Sequence, residues 1–361
     1  MRLLASISPG EMRVAAWDGV LHDYAIWRPG APDGLGELHR GRVVARVPAM
    51  AGAFVAIAGS EGFLPDSEGA ADAGTILGVR ITRAAQGGKG PRLSARLSDA
   101  ELGLVGSGPP ALLAAGPNAI HRLRARHPDA PIDIDDPGTA ARLPFPARIV
   151  ARAFSDEVEA SIEALSEPVC QLPGGARLSV YPTPALTALD VDLAGLSADR
   201  RGKHASQAAA NRALLPALAR QIRLRDLSGP ILVDLAGLTT RRRAALAPDF
   251  IAALAADPLA PRFLGFTALG LAEILRPRVH PPLHEMLAGP HAAGLAALRD
   301  LARQCAATPH RHPCLRTWPE IATALRADSV AQAALRAATG RSLELAEDRA
   351  LPTPGWRIEE S

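Results

Sequence analysis

The sequence predicts an α+β protein with a small β-barrel inserted near the N-terminus and a mixed-sheet core behind it. Three observations carry this. Short apolar strands recur at nearly even spacing through residues 38–98, the pattern of a small barrel. Residues 176–285 alternate strand, strand, helix, strand, helix, strand, helix. The tail from residue 291 repeats helices and strands on a smaller scale, as a small C-terminal α/β domain would.

The elements follow in order. Residues 1–37 are read as N-terminal strands that pack on the core. Apolar and polar residues alternate through 2–28, and Asp18-Gly19 marks a two-residue hairpin turn. In 38–98 the strands are Val43–Val47, Ala53–Ile57 and Ile76–Ile81, with a polar loop over 66–74. Residues 99–165 form a connecting region, rich in Pro, Gly and Ala at first. Short helices are expected at 111–115 and 120–124, a strand at 145–152, and a helix after Ser155, a good N-cap. The core is assigned to 166–290, with strands at 185–192 and 230–234. Between these strands a long helix, about 205–224, sets Leu214, Leu215, Leu218 and Ile222 on one stripe. Residues 291–361 make the small terminal domain.

The 361 residues suffice for two or three domains, and 48% hydrophobic residues exclude a disordered chain. Lys plus Arg number 40 against 37 acids, so any basic surface must be local. Cys170, Cys305 and Cys314 are too few and odd in number for a disulfide framework, which fits a reducing cytoplasm. Arg13 interrupts the N-terminus before an apolar run reaches leader length, and no apolar run approaches 18 residues. A cytoplasmic protein without a membrane span is expected.

The chemistry concentrates between Tyr181 and Leu283. Asp190 and Asp192 end one strand-like run and Asp234 ends another. Carboxylates at strand ends hold hard divalent cations, although a strand-terminal Asp also commonly caps a turn. Arg223 and Arg225 follow the long helix and Arg276 and Arg278 follow the last strand. Their guanidinium forks suit phosphate oxygens. The other reading of the first pair is a solvated face with Asp226 as partner; in the second, one arginine would reach RNA and the other snorkel. This combination is that of a metal-dependent nuclease. Phe54 and Phe63 fall on the barrel and Lys89 and Arg92 on its basic loop, where aromatics stack bases and cations track a backbone, unless the rings fill the barrel core. Gly87-Gly88-Lys89-Gly90 lacks the spacing and hydroxyl of a P-loop. Cys305, His310, His312 and Cys314 have a spacing unlike common structural zinc sites, so zinc is not expected.

Five blocks in one order resemble the ribonuclease E/G family. They are Ala185-Leu186-Thr187-Ala188-Leu189-Asp190, Asn211, the run Ala219 to Leu227, Val233-Asp234, and Leu269-Gly270-Leu271-Ala272-Glu273. Upstream, Gly41-Arg42-Val43, Gly52-Ala53-Phe54-Val55, Gly62-Phe63-Leu64-Pro65 and Gly87 to Ser94 look like that family's S1-type OB-fold barrel. The tail from Trp318 to Leu343 is similar to the small domain of its ribonuclease G branch.

The resemblance implies a magnesium-dependent endoribonuclease for single-stranded RNA, with Mn²⁺ a second possible ion. Asp190 and Asp234 match the metal-binding aspartates, with Asp192 assisting where the family has asparagine. Arg152 matches one residue of a 5′-monophosphate-sensing pocket, whose threonine is Ala153 here. Gly237 replaces a further acid, and the family's Cys-Pro-x-Cys zinc link between subunits is absent, so an oligomer would need other contacts. Only 38 positions separate Arg152 from Asp190, a compact form of the family. The alternatives are an RNA-binding homologue that has lost cleavage, and a phosphoesterase for small substrates.

Overall fold

A computed structural model of the chain describes residues 1–193, 203–235, 237–308 and 313–360. The chain divides into two compact units, 1–33 with 117–159 and 284–361, and 34–116 with 160–283. Each is a mixture of helices and sheets.

In the first unit, Arg2–Ser8, Glu11–Trp17 and Leu21–Trp27 form an antiparallel meander. The second turn spans three residues, not two, with an irregularity between Ala16 and Trp17. Ile132–Ile134 and Arg148–Ile149 add to the sheet in parallel. The expected strand over 145–152 is thus reduced to two residues. Phe145 packs instead beside His121, and the helix Ala119–Arg126 covers the sheet through Ile120 and Leu123. The C-terminal part supplies a second core, in which Leu295, Leu298, Ile321 and Leu325 from two helices close over the strand Pro313–Thr317. That strand pairs with Leu345–Glu347 and with Trp356–Glu360, a strand the sequence did not signal.

The second unit opens with the barrel. Leu38–Val47, Gly52–Ile57, Ser60–Pro65, Arg92–Ser94 and Ile76–Arg83 pair in a ring that closes on itself. Closure removes free edges. Val43, Ala53, Val55, Leu64, Val79 and Leu93 fill the interior. Ala111–Ala114, expected as helix, is a strand on the flank of Leu38–Val47. Backbone pairing there overrides the helical preference of Ala and Leu.

A six-stranded mixed sheet follows, in the order Val169–Gln171, Arg177–Pro182, Thr187–Asp192, Gly229–Leu235, Ala272–Arg276, Arg262–Phe266. Its one parallel pair, Thr187–Asp192 with Gly229–Leu235, is joined through the long helix Lys203–Leu224. Parallel neighbours need such a crossover. The apolar stripe expected on that helix is present: Leu214, Leu215, Leu218 and Ile222 are buried against Leu189, Val191, Ile231 and Val233. One face of the sheet is therefore packed on helices. Alternation turns the remaining side chains to the other face.

Candidate functional site

The alternation along Thr187–Asp192 buries Thr187, Leu189 and Val191 and exposes Asp190 and Asp192. Along Gly229–Leu235 it buries Ile231, Val233 and Leu235 and exposes Asp234. The parallel register sets Asp190 directly beside Asp234. The two carboxylates, 44 positions apart in sequence, thus stand side by side on the open face of the sheet. Asp192 shares that face, with its carboxylate 3.3 Å from the guanidinium of Arg177 on the neighbouring strand.

Arg243 completes this end of the sheet. Its Nη1 donates to the carbonyls of Gly270 (2.9 Å) and Leu269 (3.3 Å), and its Nη2 to that of Leu235 (3.3 Å). Nη2 also lies 3.6 Å from Asp234 Oδ1. Gly270 makes this possible: it has φ +86°, and a Cβ there would overlap the guanidinium. Sequence reasoning missed Arg243. The available signal was a run of three arginines a few residues beyond Asp234, with a glycine downstream in the Leu269–Glu273 block.

The four arginines expected at RNA divide. Arg225 is buried and donates to the carbonyls of Ala164, Leu165 and Glu167 and to Gln221 Oε1. Arg276 is 2% exposed and is held by Asp257 (2.7 Å) and Asp226 (3.2 Å). Both guanidiniums are consumed inside the fold, so their assignment to RNA is corrected. Arg223 and Arg278 are partly exposed.

On the barrel, Phe54 and Phe63 sit opposite each other on adjacent strands, with ring centroids 5.6 Å apart and edge to face. Neither fills the interior; both are half-buried on the outer wall. Arg92 is exposed and in register with Phe63, and Lys89 is exposed on a tight hairpin closed by its two backbone hydrogen bonds with Gln86. The four residues therefore belong to one outer wall and its adjoining turn.

The segment that carries this geometry is similar to known proteins. Residues 151–279 match the Ribonuclease E/G family. Among curated relatives, ribonuclease E of Escherichia coli K12 is 32% identical over 149 residues, which cover 40% of this chain and 14% of that protein. Ribonuclease E of Nostoc sp. is 31% identical over 130 residues, 36% of this chain and 19% of the relative. Ribonuclease G of E. coli K12 is 28% identical over 152 residues, 41% of this chain and 31% of the relative. The chain therefore matches less than a third of the length of these relatives.

Both aspartates, Arg243 and all four core arginines fall inside the ribonuclease E/G match. The fit to a magnesium ion can be judged from the donors themselves. Two exposed carboxylates on residues in register would offer hard oxygen ligands of the number Mg²⁺ commonly takes from protein. Among the described residues there is no group of three or more His, Cys, Asp or Glu side chains placed to hold a metal. Gly237, at the position of a further family acid, is exposed at φ +65° just past Asp234.

Arg152 lies in the first unit, 54% exposed and 2.7 Å from Asp156. It lines a cavity of about 1100 Å³ together with Arg142, Arg299 and Arg303. The neighbouring Ala153 is buried, and its N–H reaches Asp135 Oδ2 at 3.4 Å. Burial pushes the Asp135 carboxyl upward, against the hydrogen bonds it accepts from the Ile7 N–H and the Ser6 side chain. Of the considered zinc cluster, His310 and His312 lie outside the described residues. Cys305 packs against the C-terminal core, and Cys314 Sγ faces the Glu344 carbonyl at 3.8 Å. Among the described residues no helix is long and apolar enough to cross a membrane.

Proposed function

We propose that this chain is a magnesium-dependent endoribonuclease that cleaves single-stranded RNA. One observation carries the reading: Asp190 and Asp234 are direct neighbours on the open face of the sheet, inside the segment that matches ribonuclease E/G. Two like charges side by side repel, and a dication between them relieves that repulsion. Bound there, Mg²⁺ would activate water and stabilise charge on the scissile phosphate. Asp190 and Asp234 would supply its oxygen ligands. Arg243, fixed by three carbonyls, would hold Asp234 in place and carry positive charge toward the phosphate. Phe54 and Phe63 would stack two bases, with Lys89 and Arg92 on the adjoining phosphates.

A second reading, RNA binding without cleavage, is favoured by Gly237 in place of an acid. A 5′-labelled single-stranded RNA incubated with Mg²⁺ separates the two. The expected result is internal cleavage that Asp190→Asn reduces by a factor of about 10³ or more, while RNA binding in EDTA is retained. Tight binding by the unaltered protein with no cleavage in Mg²⁺ or Mn²⁺ supports the second reading.

A further inference from the structure

The barrel and the six-stranded sheet lie in one compact unit, and the chain joins them at a defined seam. The Ala84 N–H donates to the Val279 carbonyl at 2.9 Å, and Ser228 Oγ donates to Gln86 Oε1 at 3.4 Å. Three arginines meet at this seam. Arg83 ends a barrel strand and is directly opposite Arg92 on the next. Arg278 comes from the sheet side and packs its guanidinium over Gly229, where any side chain would collide with it. On the sheet side Arg278 also lines a cavity of about 360 Å³, together with Gly229, Pro230, Arg262, Leu275 and Pro277.

This is an unusual place for three positive charges. Like charges directly opposite on paired strands destabilise a sheet. The Arg83 guanidinium is lowered from its ordinary value by burial first, then by the nearby Arg92 and Arg278. Among the described residues, no carboxylate lies within 4.0 Å of any of the three, whereas most of the protein's other arginines have one. Arg83 Nη2 has only a long contact to the Gly90 carbonyl (3.4 Å), and its buried Nε has no partner. A buried donor without an acceptor costs free energy that a ligand oxygen would recover. The fold thus maintains repulsion and an unfilled donor where the barrel meets the sheet.

We infer that Arg83, Arg92 and Arg278 form one phosphodiester-binding site that holds the RNA backbone at the seam between barrel and sheet. Arg83 is its centre, an RNA contact that the sequence did not suggest. The inference rests on the RNA reading above; Gly229, under Arg278, begins the strand that carries Asp234 near its far end, so this site lies about 17 Å along that strand from the carboxylates and would hold the RNA away from the point of cleavage.

The test uses the full chain and a fluorescein-labelled decauridylate in EDTA, titrated at several salt concentrations. Arg83→Gln is expected to weaken binding roughly tenfold. It should also lower the salt-dependence slope by about 0.7, the value of one lost single-strand phosphate contact. In low salt without RNA, the same variant should melt at or above the temperature of the unaltered protein, since repulsion is removed. Pyrophosphate should raise the melting temperature of the unaltered protein more than that of the variant. Arg278→Gln, on the other side of the seam, should reproduce the loss of slope and affinity. If the unaltered protein binds the RNA but either soluble variant binds it equally well with the same slope, the inference is overturned while the RNA reading stands. If the unaltered protein binds no RNA, the reading itself falls and the inference with it.

Discussion

Arg276 and Arg278 are two residues apart on one strand end and have opposite fates. Arg276 points into the fold, where Asp257 and Asp226 neutralise it and the Leu227 carbonyl accepts from it. Arg278 lies over Gly229, close to Arg83 and with no acid within ion-pair distance among the described residues. Arg225 repeats the first pattern, filled by three carbonyls and a glutamine. Arg83 and Arg92 repeat the second. The difference teaches that residue type does not locate an anion site; the state of satisfaction does. A guanidinium whose donors are all used inside the protein is structural, whereas one held among other cations is waiting for a ligand.

The strongest way to break this contrast is Arg276→Leu. It leaves Asp257 buried with no countercharge, which should cost about 3–5 kcal/mol of stability. Urea unfolding checks it, and a loss below about 1 kcal/mol would erase the distinction. Phe63→Leu probes the wall on the other side. It should remove roughly 1–3 kcal/mol of RNA-binding free energy, the worth of one stacked base, without a comparable loss of stability. Equal affinity would show that the paired rings only pack on each other. A smaller effect concerns Asp133, where two arginines converge on one acid. Hydrogen bonds from Arg148 and then Arg2 lower that carboxyl to about 2. Since the folded value is depressed, its contribution is complete above the ordinary aspartate range and fades as pH falls from near 4 toward about 2. Stability measured across that acid window should therefore depend less on pH in Asp133→Asn, and an unchanged profile would show the pair to be inert.

The sequence made the paired aspartates legible because strand periodicity fixes which residues share a face. Asp190 and Asp234 each alternate with buried aliphatics, so both had to point away from the packed side. The barrel and the stripe on the long helix were legible for the same reason. The partners of arginines were not. Arg276 finds Asp257 and Asp226 at separations of 19 and 50 residues, and Arg225 finds carbonyls about 60 residues away. Nothing local encodes such closures. Asp226, the expected neighbour of Arg223 and Arg225, is taken by Arg276. Arg243 escaped notice because its anchors are backbone carbonyls, which every residue carries. Ala111–Ala114 was misread because its strand state comes from pairing with Leu38–Val47, not from its own composition.

The adjacency of Asp190 and Asp234 arises from two strands that are separated in the chain and matched residue by residue. Side chains on a strand change sides at each position, so a single codon inserted upstream within either strand would swing one acid toward Leu214 and its neighbours. Whole turns could be gained or lost in the connection without that penalty. Evolution of this protein should therefore tolerate length changes freely between the two strands and almost never inside them.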